Sequence, residues 1–185
     1  MMDVEVARSL ARRALARSLP CRWSHVQGVA TRAEVIGPHL DGGPVLVAAC
    51  WLHDVGYAPD LGATRFHPLD GARALRDWGA DELMCGLVAF HSAAAHEADV
   101  LGLLDELRAF DDPQGLVRDL LWYLDMTTSP DGERVSFDDR MAEVRERYPA
   151  DHYVSRALDG SMADRRGAVD RARAWLSSVG LGGQV

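Results

Sequence analysis

Three apolar stretches of this sequence each run straight into a residue type that binds metal ions. Residues 44–52 (PVLVAACWL) lead into His53 and Asp54, residues 83–90 (LMCGLVAF) into His91, and residues 120–124 (LLWYL) into Asp125. Burying an isolated carboxylate costs many kcal/mol, so an aspartate that continues a core helix takes a cation or a dense set of hydrogen bonds as its partner. With several histidines in the same kind of position, a metal ion fills that role best. Taken singly, each histidine also reads as a hydrogen-bonded core or capping residue. Asp125 also reads as the N-cap of the Thr-Thr-Ser-Pro-Asp-Gly turn that follows it. His67 stands at a helix mouth, because Pro68 disfavours helical backbone in the residue before it. His39, His96 and His152 lie in polar or turn-like contexts and default to the surface.

The elements that must position these groups are helical. Apolar residues recur at three- and four-residue spacing, valine-rich alternation is scarce, and Gly and Pro punctuate the chain. This pattern predicts an all-α fold, with helices over about 3–19, 23–36 and 44–55, a loop over 56–66, and helices over about 68–79, 81–91, 98–109 and 114–127. A loop over 128–136 then precedes thinner helices near 137–148 and 162–177, and the LGGQV terminus is expected to fray. Nothing resembles a repeat or a linker, so the 185 residues read as one domain, 1–185, with the metal-site region at about 22–130 and C-terminal helices at 137–177.

The net charge of −8 argues against a protein that grips a nucleic-acid polymer through its backbone. All 20 basic residues are arginine, which excludes lysine Schiff-base chemistry and leaves guanidinium as the strong cationic side chain. Cys21, Cys50 and Cys85 form no CxxC pair, which fits a reducing cytoplasm. The arginine-interrupted N-terminal stretch does not read as a signal peptide, and no run approaches the ~18 apolar residues of a membrane span.

In chain order the chemistry-bearing segments are Arg22-Trp-Ser-His25-Val-Gln-Gly-Val, Leu52-His53-Asp54-Val-Gly-Tyr, Phe66-His67-Pro-Leu-Asp-Gly-Ala, Phe90-His91-Ser and Leu124-Asp125-Met. A histidine, an adjacent His-Asp pair and a distant aspartate across helical segments resemble the HD superfamily of metal-dependent phosphohydrolases. The resemblance implies an HD-type helical bundle in which His25, His53, Asp54 and Asp125 form the basic metal site. His67 and His91 match the extra histidines of members that hold a second metal, with Asp54 bridging the pair. Through HVxGV around His25 and those extra histidines, the chain is similar to the bacterial dinucleoside-tetraphosphate hydrolases, which use a di-iron centre. It departs from them at Tyr57, near which they often have a lysine, and in Met-Thr-Thr-Ser-Pro-Asp-Gly from Met126 onward.

Imidazole and carboxylate donors without thiolate suit Fe, Mn, Zn, Co or Ni, with iron favoured for a dinuclear centre. Six ligands, one of them shared, leave coordination positions open to water and substrate. A metal lowers the pKa of water from ~15.7 to about 7 and polarises phosphoryl oxygens, so no separate protein nucleophile is required beyond the Asp54-centred site. Arg65, just before Phe66-His67, and Arg134, in the loop after Asp125, are the candidate phosphoryl donors, and each also reads as a solvated surface arginine. Asp70 and Asp131 are candidates for orienting ligand histidines, or ordinary helix-start carboxylates. Trp23, Trp51 and Trp122 read as core packing before a base-stacking platform. The expected activity is hydrolysis of a nucleotide or other small phosphorylated metabolite. The alternatives are a di-iron oxygenase or a metal-stabilised binding domain without turnover. The expected partners are a small phosphorylated substrate and, as an open question, a second copy of the chain, with no membrane.

Overall fold

The computed structural model describes residues 2–183. Among them it contains ten α-helices: α1 (Val4–Leu15), α2 (Pro20–Ile36), α3 (Gly43–Leu52), α4 (His67–Asp77), α5 (Glu82–Ala89), α6 (Ala94–Leu101), α7 (Leu104–Leu107), α8 (Leu116–Asp125), α9 (Phe137–Arg147) and α10 (Tyr153–Ser178). The expected all-α class is the one observed, and the β-type pairing among these residues is an isolated antiparallel bridge between Thr128 and Arg134.

Helix α3 is the axis of the core. Apart from Pro44 its residues are buried, and it packs against α1, α2, α5 and α8. So apolar a segment cannot present a solvent face, and is stable as a helix because neighbours surround it. Short polar side chains fix where the other helices begin. Asp3 caps α1, Asp81 accepts from the Met84 amide at the start of α5, and Ser136 accepts from Asp139 at the start of α9. Proline supplies the first turn of α2, α3 and α4, where its missing N–H has no helical partner to lose.

Two expected boundaries are corrected. The helix expected over 98–109 breaks at Gly102, whose left-handed backbone (φ 72°) closes α6 and lets α7 leave in a new direction. The last helix begins at Tyr153, not near 162, and spans 26 residues. Ser155, Gly160 and Ser161 make its first half look like a loop, but Ser161 is buried and turns its hydroxyl onto the Leu158 carbonyl, so its polarity is absorbed within the helix.

Backbone contacts at two glycines set the distances around the site. A Cβ on Gly56 would lie 2.0 Å from the carbonyl oxygen of His67, so the turn after Asp54 can rest against the start of α4 only with glycine there. A Cβ on Gly28 would lie 2.2 Å from the Gly132 carbonyl oxygen, which seats the 128–136 loop directly on α2. Gly28→Ala is therefore expected to overpack this contact and lower the melting temperature by at least about 3 °C. Calorimetry showing an unchanged melting temperature would mean the loop yields freely.

Candidate metal centre

The six residues singled out by the sequence come from five separate places and meet in one cluster. His25 projects from the middle of α2, His53 and Asp54 follow α3, His67 opens α4, His91 follows α5, and Asp125 ends α8. His25, His53, Asp54 and His91 are each at most 3% exposed, and His67 and Asp125 are partly buried.

Each oxygen of Asp54 faces a different group of donors. Oδ2 lies 3.4 Å from His53 Nε2 and 3.8 Å from His25 Nε2, while Oδ1 lies 3.4 Å from His67 Nε2 and 3.8 Å from His91 Nε2. Asp125 Oδ1 completes the first group, 2.9 Å from His25 Nε2 and 3.8 Å from His53 Nε2. The two imidazoles of the second group face each other, Nε2 to Nε2, at 3.1 Å. Donors bound to one ion at ~2.1 Å stand about 3 Å apart, so both groups have the spacing of ligand sets.

The backbone decides which ring nitrogen faces inward. His53 Nδ1 is 2.8 Å from the Cys50 carbonyl oxygen, His91 Nδ1 is 2.6 Å from that of Val88, and His25 Nδ1 is 3.0 Å from that of Ser129. A carbonyl can only accept, so each Nδ1 carries a proton and each Nε2 is the nitrogen that faces the cluster, free to present a lone pair once a metal ion displaces any proton held there. The expectation that Asp70 and Asp131 orient ligand histidines is corrected here. Asp70 spends its carboxylate on the Thr64 amide and hydroxyl, which ties down the loop before α4, and Asp131 is exposed.

His53 Nε2 is buried and in hydrogen-bond geometry with nothing, although two carboxylates stand within 4 Å of it. Burial by itself disfavours the charged ring, but the nearby charges of Asp54 and Asp125 outweigh it and pull His53 up to about 9. For Asp54, burial works the other way, yet Arg22 and His53 hold its carboxyl well below the usual range. Burial, reinforced by neighbouring imidazoles, holds His67 and His91 below their ordinary value. Inward-facing nitrogens and carboxylates aimed at one another, with His53 Nε2 left without a hydrogen-bond partner, fit a metal ion that would take the place of the protons the cluster otherwise holds. The donor set is nitrogen and oxygen alone, since burial keeps the neighbouring Cys50 as a thiol.

Several residues around the cluster carry no motif of their own. Arg22 Nη1 is 2.7 Å from Asp54 Oδ2, and its guanidinium lies 4.2 Å over the Tyr57 ring. Tyr57 stacks in turn on His67, with ring centres 3.9 Å apart. Ser92 donates to Asp125 Oδ2 from a left-handed backbone (φ 49°), and Ala93 after it is also left-handed (φ 60°). Non-glycine residues in that region cost roughly 1–3 kcal/mol each, which the packed surroundings must offset. Arg32 gathers the end of α8 by donating to the carbonyls of Leu124 and Thr127 and the hydroxyls of Thr127 and Thr128. The two arginines expected beside the phosphoryl group stand elsewhere. Arg65 is exposed and makes no hydrogen bond or ion pair among the described residues. Arg134 donates to the Gly183 carbonyl and lines a cavity with Tyr123, Thr127 and Leu176 that contains none of the cluster. Trp51 and Trp122 are core residues as expected, and Trp23 is half-buried and stacked on Trp51.

The family profile of the HD domain matches residues 22–144. The chain belongs to the HD domain family, whose members are generally phosphohydrolases. Comparison with curated proteins and with solved structures returns no match.

The charge balance predicts how metal-free protein responds to pH. His53 is held above its unfolded value of 6.5, so the stability it contributes is complete below that pH and lost as pH rises to about 9. His67 and His91 are held below theirs, so they weaken the metal-free fold as pH falls through 6.5. Chelated protein should melt highest near neutrality, and His53→Gln should flatten the alkaline limb. Superimposable alkaline limbs for the two proteins would refute this assignment.

Proposed function

We propose that this protein hydrolyses a phosphoester of a nucleotide or similarly small phosphorylated metabolite at a dinuclear metal centre. The observation that carries the reading is Asp54, whose two oxygens each face a separate set of buried Nε2 atoms. His25, His53, Asp125 and Asp54 Oδ2 would hold one ion, and His67, His91 and Asp54 Oδ1 the other, with iron favoured for the pair. Bound there, the ions supply acidified water at neutral pH and Lewis acidity toward phosphoryl oxygens.

The protein's own groups do the rest. Carbonyl contacts from Cys50, Val88 and Ser129 fix the imidazole tautomers, so the donors need not reorganise when they are engaged. Ser92 holds Asp125 toward His25, and Tyr57 covers the face of His67 away from solvent. Arg22, already paired to Asp54, keeps a guanidinium at the mouth where a substrate anion enters. Burial of the cluster strengthens each of these electrostatic contacts.

Protein purified without chelators should carry metal and release phosphate or a nucleoside product from a phosphoester panel. Asp54→Asn should abolish metal retention and lower turnover by at least about 10³-fold, while retaining the helical circular dichroism signal. Full metal content in Asp54→Asn, together with no product from any phosphoester, would refute the reading. Oxygen consumption with a mixed-valent iron signal would replace it with an oxygenase.

A further inference from the structure

Helix α9 reaches the mouth of the cluster and brings a cation to it, and α10 places a second one against the residue that follows Asp125. A cavity of about 320 Å³ opens beside the site between Arg22, His25 and Tyr57 on one side and Pro130 and Arg140 on the other. Arg140 belongs to α9 and is paired there with Glu143, a single carboxylate that also serves Arg147. On α10, outside the lining of that cavity, Arg165 donates from Nε to Ser161 Oγ at 2.7 Å, and its Nη1 lies 3.4 Å from the Sδ of Met126, the residue directly after Asp125. These partners are neutral. Among the described residues, no carboxylate lies within ion-pair distance of Arg165, while the charges of Asp125, Glu97 and Arg140 all bear on it.

This is an unusual position for an arginine. Arg22 and Arg118, which are also withdrawn from water, are each paired to an acid, Arg22 to Asp54 and Arg118 to Asp112. Arg165 is half-buried, the acid whose charge bears on it most, Asp125, is committed to His25 and Ser92, and burial holds it below its ordinary value. Glu97 offers weak compensation, since burial raises its carboxyl toward the neutral form. A guanidinium withdrawn from water without an acid partner favours an incoming anion, and its planar fork matches two oxygens of a phosphate.

We propose that Arg165 and Arg140 form a phosphate clamp, supplied by the C-terminal third of the chain, that binds the terminal phosphoryl group of the substrate beside the cluster. The assignment rests on the phosphohydrolase reading for its substrate, but its geometry is separate from the ligand residues. It favours compounds bearing a dianionic phosphate over uncharged or diester analogues, because two cations share one anion. It also gives α9 and α10 a role in recognition that the metal-site helices do not provide.

The test is calorimetric titration of inorganic phosphate into the full-length, metal-loaded protein, with metal content measured on the same samples. Wild type should bind phosphate, and Arg165→Gln and Arg140→Gln should each weaken binding at least about ten-fold with metal content unchanged. Arg165→Lys should restore part of the loss, and Arg156→Gln, on the exposed face of α10, should bind as wild type does. Wild-type affinity in Arg165→Gln, or no phosphate binding by wild type, would overturn the clamp. Should Arg165→Gln lose its helical signal, Arg140→Gln decides alone. Arginine-dependent phosphate binding without turnover of any phosphoester would remove the hydrolase reading and leave the clamp. Turnover with an unchanged KM in both glutamine variants would remove the clamp and leave the hydrolase.

Discussion

A carboxylate that is 2% exposed must be neutralised by whatever the fold brings to it, and around Asp54 the fold brings four imidazoles and one guanidinium. The five surrounding groups come from α2, the end of α3, α4 and the turn after α5, so the burial of one charge ties together most of the bundle's N-terminal two thirds. Asp54 sits where α3 stops, still inside the core, with His53, Val55 and Gly56 buried around it. Hydrophobic packing therefore carries the acid to its place, and electrostatics then dictates what stands beside it. Such an arrangement is weak as a source of stability by itself, since desolvation offsets much of the attraction. Its value lies in holding donors ready.

That readiness depends on parts of the backbone remote from any motif. Three carbonyls set the inward nitrogen of His25, His53 and His91. One of them, that of Ser129, lies on a loop that reaches α2 only because Gly28 and Gly132 allow the two backbones to touch. Arg32 binds the end of α8 to α2 and so keeps Asp125 within reach of His25. The left-handed turn at Ser92 and Ala93 is held by the same neighbourhood, and it delivers the hydroxyl that orients Asp125. Strain concentrated next to the cluster, and nowhere in the core helices, accords with a site shaped for chemistry.

His25 and His67 were legible as ligands through the resemblance to the HD superfamily, and His53, Asp54, His91 and Asp125 were legible in the sequence because they end apolar runs, where a charge on a buried helix needs a partner. Helix class was legible for the same reason, from spacing alone. Arg22, Arg140 and Arg165 were not, because an arginine bound to a buried acid and an arginine in solvent have the same sequence context. Sequence neighbourhood misled for Arg65 and Arg134: adjacency to a ligand along the chain does not place a long side chain beside it, and the bridge between Thr128 and Arg134 carries Arg134 toward the C-terminus instead. The first half of α10 was missed because small polar residues look like a loop until their partners are known. Arg22 alone left a trace, standing one turn before His25 and so on the same face of α2.

The central claim is that Asp54 joins two sets of Nε2 donors around two ions, and crystallographic anomalous scattering from protein purified without chelators tests it most directly. The account predicts two anomalous peaks, one on each side of the Asp54 carboxylate, each approached by histidine Nε2 while Nδ1 of His25, His53 and His91 stays on its carbonyl. No peak in the cluster of metal-bearing crystals, or ligation through Nδ1, would contradict it.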